Sequence, residues 1–267
     1  MRIYLITDLE GVAGVVNFVD YCRPESRYYE QARKLLTGEV NAAVDGFFAG
    51  GATDVVVFDG HGPGAVNCEL LDERAKFSRG HYVPIWPWGL DEGFDALAIV
   101  GQHAKSGTPF SHLTHTGAFS VYDLSVNGLS IGEYGTLALC AMELGIPSIF
   151  ASGEKAFAEE AEALTPGVVT VAVKRGLRPD DGHAYATPEE YSNAKLAAEH
   201  LTPAAARKQI RAGAKLAVEH LKKNPAQFRY PGLKAPWHII RRFRPLGTGL
   251  IQHAKDDQSF IAAMNKL

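Results

Sequence analysis

Ile3-Tyr4-Leu5-Ile6-Thr7-Asp8-Leu9-Glu10-Gly11 is the stretch whose reading decides the fold of this chain. Its first five residues are apolar or β-branched on both faces, as in a buried parallel strand rather than a half-exposed antiparallel one. Two acids and a glycine follow at once. The layout returns twice downstream. Val55-Val56-Val57-Phe58 runs into Asp59-Gly60-His61-Gly62, and Ala96-Leu97-Ala98-Ile99-Val100 runs into Gly101-Gln102-His103. Between the first two runs, Leu36, Val40, Ala43, Val44 and Phe47 recur at helical spacing within 26–49, and Gly50-Gly51 stops the helix. This is a β-α-β unit, with a right-handed crossover expected.

Further along, 118–129 reads as a hairpin turning at Asn127-Gly128. A helix is expected over 132–144, closed by Gly145 and Pro147, then a strand at 148–152, a helix at 155–164 and a strand at 168–173. The stretch 178–186, rich in Pro, Asp, Gly and His, reads as a loop. Thr202 caps a long helix that starts at Pro203 and ends near 222. A strand and a short helix close the chain over 250–267. The fold class is α/β: a central, mostly parallel sheet flanked by helices, with a smaller C-terminal α+β subdomain. The expected division is 1–175 and 176–267.

Composition narrows the function. The 267 residues are 46% hydrophobic and 21% charged, which suits a soluble protein with a sizeable core. A net charge of −3 offers no broad basic surface, so neither nucleic acid nor acidic lipid is an expected partner. The basic run Ile240-Arg241-Arg242-Phe243-Arg244 reads as a solvated or subunit-facing strand. Three cysteines without CxxC spacing (Cys22, Cys68, Cys140) argue against a disulfide framework and against a thiolate metal site. No apolar run approaches the ~20 residues that span a bilayer. The apolar start is too short for a signal peptide, and a cytoplasmic location is expected.

The chemistry lies just past the three strands. In an open parallel sheet, ligands bind outside the carboxyl ends of the strands. Asp8, Glu10, His61 and His103 all occupy that edge, and carboxylate with imidazole is the set that holds zinc where thiolates are absent. Each alone reads as an ordinary loop, turn or core residue; four at equivalent strand ends do not. Glu133, in Ile131-Gly132-Glu133-Tyr134-Gly135, sits near a helix start that favours a carboxylate anyway, so locally it reads as structural. His112 and His115 share a polar loop after His103. Either could carry a proton, and spacing does not choose between them. Asp59 either orients His61 or shapes the turn. His200 and His220 read as solvated, and His81, His183, His238 and His253 receive no role.

Taken in order, T-D-L-E-G (7–11), D-G-H-G (59–62), G-Q-H-A-K (101–105), T-H-T-G (114–117) and I-G-E-Y-G (131–135) resemble the DppA-type D-aminopeptidases, a family of zinc metallopeptidases. The resemblance implies two zinc ions per chain, held by Asp8, Glu10, His61, His103 and Glu133. It implies His115 as the catalytic histidine, with His112 as fallback because the His103–His115 interval is one residue long for the pattern. It further implies short peptides with an N-terminal D-residue as substrates and a ring-shaped homo-oligomer, a decamer. In that picture 176–267 serves oligomerisation and the substrate cavity. The motif-level likeness holds to about residue 174 and loosens over 176–199 and 223–248.

Three other readings compete. T-D-L-E-G superficially resembles the D-x-D-G start of aspartate-nucleophile phosphatases, but its second acid is Glu10, and two strand-end histidines favour zinc over magnesium. A non-catalytic metal-binding protein and an L-aminoacyl amidase keep the same residues with a different outcome.

Overall fold

A computed structural model of the chain describes residues 1–80, 82 and 84–267; His81, given no role above, lies outside them. The first half contains β1 (Arg2–Thr7), α1 (Phe18–Tyr21), α2 (Tyr29–Gly50), β2 (Asp54–Asp59), β3 (Lys76–Ser78) and β4 (Ala96–Gln102). Then come β5 (Val121–Val126), β6 (Leu129–Ile131), α3 (Glu133–Glu143), β7 (Ser148–Glu154), α4 (Lys155–Leu164) and β8 (Val169–Gly176). The remainder holds α5 (Pro188–Ala194), β9 (Ala198–His200), α6 (Pro203–Lys223), β10 (Trp237–Phe243), β11 (Ile251–Asp256) and α7 (Phe260–Met264).

The expected α/β class is what forms. Seven strands make the main sheet in the order β3-β2-β1-β4-β7-β8-β9, all parallel except the edge strand β9. From β1 the chain builds outward to β2 and β3 on one side; from β4 it builds to β7 and β8 on the other. The order therefore reverses between β1 and β4, and that reversal opens a crevice at the carboxyl edge. Register brings Thr7 level with Asp59 on one side and Val100 on the other.

Helices cover both faces. α2 and α6 pack together over one, burying Leu36, Val40, Val44 and Phe47 against Ile210, Ala214 and Val218. α3 and α4 cover the other with Tyr134, Leu137, Ala138 and Phe157. Strands apolar on both sides are the consequence, and β4 is buried throughout.

A second, antiparallel sheet runs β11-β10-β5-β6 and rests on α3 and α7 around Trp237, Ile239, Leu139 and Phe260. Its strands come from two places, 121–131 and 237–256. The hairpin turns at Asn127 and Gly128 as expected, with φ of 50° and 85°, the left-handed pair of a tight two-residue turn.

Two elements were not anticipated in 176–199. α5 starts at a capping box in which Thr187 accepts from the Glu190 N–H and Glu190 accepts from the Thr187 N–H, with Pro188 in the first turn. β9 adds three residues antiparallel to β8.

Candidate metal centre

The strand ends approach so closely that side chains are excluded. Asp8 N–H donates to Val100 O at 2.9 Å and Gly11 N–H to Gly101 O at 2.7 Å. A Cβ on Gly11 would lie 2.0 Å from Gln102 O, and one on Gly101 would lie 2.0 Å from Asp8 O. Gly101 also has φ +82°. The glycines of T-D-L-E-G and G-Q-H are thus what lets the two loops deliver their acids and imidazole to one point. Around His61 the two glycines differ in kind. Gly60 is needed for its close approach to β1, since a Cβ there would lie 2.7 Å from Thr7 O, whereas Gly62 faces open space.

Five predicted residues converge there. His61 Nδ1 lies 3.2 Å from Asp8 Oδ1 and 3.2 Å from Glu10 Oε2. His103 Nε2 lies 3.3 Å from Asp8 Oδ2 and 3.5 Å from Glu133 Oε1. Asp8 stands in the middle, presenting one oxygen to each imidazole. Two groups of donor atoms lie within 4.8 Å of one another: Asp8, Glu10 and His103, and then His103, His115 and Glu133.

The outer nitrogen of each imidazole faces a backbone carbonyl. His61 Nε2 is 2.9 Å from Cys22 O, His103 Nδ1 2.9 Å from Ala104 O, and His115 Nδ1 2.9 Å from Leu113 O. A carbonyl only accepts, so those nitrogens carry the protons, and in the neutral ring the other nitrogen is a lone pair. For His61 and His103 that lone pair points at carboxylates. His103 Nε2 and Glu10 Oε2 are both buried without a hydrogen-bond partner. Acceptor facing acceptor in a buried place calls for positive charge there, a proton on the ring or a metal ion.

Charge tells the same story. Burial alone would push His61 down, but Glu10 and Asp8 raise it to about 12; His103 is raised against burial to about 10, chiefly by Glu133. Burial and the neighbouring Glu10 push Asp8 up to about 7. Burial would raise Glu133 and Glu10 as well, yet His103 holds Glu133 down near 2 and His61 holds Glu10 well below its usual range. Three carboxylates in one buried place call for compensating positive charge. The donor set, oxygens with two imidazoles and no thiolate, fits zinc.

His115 stacks on His103 and lines the same cleft, whereas His112 does not. His112 is fully buried elsewhere, with Nε2 3.1 Å from Val16 O. Asp59 turns out to shape its loop: its carboxylate accepts from Ala65 and Val66 N–H, and the carbonyl of Cys22 orients His61 instead.

Sequence reasoning missed three contributors. Gln102 Nε2 donates to Asp8 Oδ2 at 2.9 Å and to Glu133 Oε2 at 3.2 Å. The Gly117 N–H donates to Glu133 Oε1 at 2.7 Å. Buried Lys174 donates to the carbonyls of Glu10 and Val15, fixing the loop after β1. The strand-end position of Gln102, between Gly101 and His103, was the one available signal.

A cleft of about 450 Å³ opens beside this cluster, with Phe18, Trp86 and Trp88 among its walls and Arg241, Phe243 and Met264 reaching it from the second sheet and α7. Among the described residues no helix is long and apolar enough to cross a membrane.

Known proteins resemble this chain in sequence and in fold. The D-aminopeptidase of Bacillus subtilis (strain 168) is 33% identical over 181 residues, covering 66% of this chain and 65% of that protein. In that match the chain spans just under two thirds of its relative's length. The fold superposes on a solved structure described as "Zn-dependent D-aminopeptidase DppA from Bacillus subtilis, a self-compartmentalizing protease", with TM-score 0.81 at 22% identity, covering 100% of this chain and 95% of that one. The profile of the D-aminopeptidase family extends well past residue 174, where the motif-level likeness faded. With residues 1–244 matched, the chain belongs to the D-aminopeptidase family.

Proposed function

We propose that this protein is a zinc-dependent aminopeptidase that removes the N-terminal residue, a D-amino acid, from short peptides. The supporting observation is the buried Nε2 of His103, which faces the carboxylates of Asp8 and Glu133 with no hydrogen-bond partner. Asp8, Glu10, His61, His103 and Glu133 would hold two zinc ions per chain, a reading supported by Asp8 presenting one oxygen to each imidazole. When bound, zinc supplies Lewis acidity that polarises a carbonyl and lowers the pKa of water.

The chain's own residues do the rest. His115, with Nδ1 fixed on Leu113 O, turns Nε2 toward the cluster, 3.8 Å from Glu133 Oε1. Burial and the charge of His103 push its pKa down, so it is neutral at pH 7 and can accept a proton at Nε2 and pass it to the leaving amine. Gln102 and the Gly117 N–H hold Asp8 and Glu133 in place. Phe18, Trp86 and Trp88 shield the reacting atoms from bulk water.

The preference for D-residues rests on the names of the similar proteins. The solved relative's description as self-compartmentalizing supports a homo-oligomer, a decamer in this reading. Segment 176–267 lends the cleft Arg241, Phe243 and Met264 and carries the exposed apolar Leu246, Leu250 and Ile251, suited to assembly and cavity building. The protein is assigned to the cytoplasm.

Metal analysis of purified protein, paired with a panel of D- and L-aminoacyl-p-nitroanilides, tests this. The expected outcome is about two zinc per chain and D-selective release. Zinc without hydrolysis supports the non-catalytic alternative, and L-selective release supports the L-aminoacyl amidase. Light scattering on the same sample reads the ring size.

A further inference from the structure

The cleft is lined by three carboxylates, Asp8, Glu10 and Glu133, and, among the described residues, by a single permanent cation, Arg241. That cation occupies an unusual place. Side chains alternate across β10, so Trp237, Ile239, Arg241 and Phe243 share one face. Trp237 and Ile239 are buried in the core of the second sheet, and Leu124, level with Arg241 on β5, is buried as well. Arg241 thus continues an apolar row at the point where the row meets the cleft. Its polar contact is one long hydrogen bond, Nη1 to Gln252 Oε1 at 3.4 Å. The neighbouring Arg242, on the opposite face, pairs with Asp123 at 3.0 Å. Partial burial lowers the pKa of Arg241, and no carboxylate among the described residues pairs with it.

A guanidinium half-withdrawn from water beside apolar side chains is costly unless an anion completes it. A short free peptide ends in a carboxylate, and Arg241 is, among the described residues, the one permanent cation in the cleft that can meet it. The volume of about 450 Å³ accommodates a peptide of a few residues. We propose that Arg241 binds the C-terminal carboxylate of a short free peptide whose N-terminus lies at the Asp8–Glu10–Glu133 cluster, so that the cleft selects substrates by length. This rests on the aminopeptidase reading above and adds to it a second anchoring point. Guanidinium and carboxylate match as planar, two-pronged partners, which Lys reproduces only in part.

The test compares three substrates on zinc-loaded enzyme: D-alanylglycine, its C-terminal amide, and D-alanyl-p-nitroanilide, which has no carboxylate. Wild type is expected to favour the free acid over the amide by about tenfold or more in kcat/KM, carried mainly by KM because the contact persists through the reaction. Arg241→Met should bring that ratio near one, and Arg241→Lys should keep part of it. The ratio is internal to each protein, so incomplete folding of a variant does not imitate the effect, and the wild-type ratio needs no variant at all. A wild-type ratio near one with p-nitroanilide release intact overturns the assignment and leaves the aminopeptidase reading standing. So does an Arg241→Met enzyme that retains the wild-type ratio. An enzyme that cleaves none of the three sinks the aminopeptidase reading and this assignment with it.

Discussion

The imidazole rings of His103 and His115 lie face to face, with centroids 4.0 Å apart and planes 16° from parallel. Two stacked rings at that distance resist carrying positive charge together. The carboxylates around His103 draw positive charge to it, and His115, buried beside it, is pushed toward neutrality. The pair divides into a ring suited to a cation and a ring suited to moving a proton.

His115→Ala is therefore expected to keep zinc near the wild-type content while kcat falls about 10²–10⁴-fold. His112→Ala should lose stability, about 1–3 kcal/mol from the unpaired Val16 carbonyl and the void, with turnover per folded molecule preserved. Metal analysis and steady-state kinetics on both variants decide. An inactive His112→Ala enzyme beside an active His115→Ala one reverses the assignment.

Gln102 ties two carboxylates that would otherwise repel. Gln102→Leu removes both hydrogen bonds with little change in size, and zinc affinity should fall about 10–100-fold, measured by competition with a chromogenic chelator. An affinity equal to wild type would show that Asp8 and Glu133 are held by other means.

Backbone proximity makes Gly101→Ala severe. Its Cβ would stand 2.0 Å from Asp8 O at φ +82°, so a loss of about 3 kcal/mol or more is expected. Gly62→Ala meets nothing within 4 Å and should stay within about 0.5 kcal/mol of wild type. Urea titration of the two variants separates a requirement for glycine from its mere presence in a motif.

Glu39 supplies a pH dependence away from the cluster. It is buried in α2, accepts from the Ala13 N–H at 2.9 Å, and is pushed up by burial to about 7 from 4.5. The folded state holds this proton more tightly than the unfolded chain does. Its contribution to stability is complete below about pH 4.5 and disappears as pH rises through 7. Glu39→Gln keeps the acceptor without the charge, so its stability relative to wild type should improve by about 2 kcal/mol between pH 5 and pH 8. Parallel unfolding curves at the two pH values would contradict this.

The parallel core was legible because β1, β2 and β4 are apolar on both faces, a pattern that only helices on both sides can satisfy. β3 and β9 were not, since three-residue edge strands such as Lys76–Ser78 and Ala198–His200 bury too little to mark their composition. The capping box at Thr187 did announce α5, but the surrounding Pro, Asp and Gly masked it. At the cluster, Asp8, Glu10, His61 and His103 were readable from residue type and strand-end position. Glu133 needed its motif, because a carboxylate at a helix start is common. The carbonyls of Cys22, Ala104 and Leu113 left no trace, since a backbone atom that orients an imidazole belongs to every residue type alike.

The second sheet is assembled from segments more than a hundred residues apart, and this sets an order in time. All five clustered acids and imidazoles lie within the first 133 residues, whereas Arg241, Phe243 and Met264 come from β10 and α7. On the ribosome, the acids and imidazoles of the cluster are therefore made before the residues that complete the cleft wall, and the cleft takes its shape only when β10 and α7 dock on what precedes them.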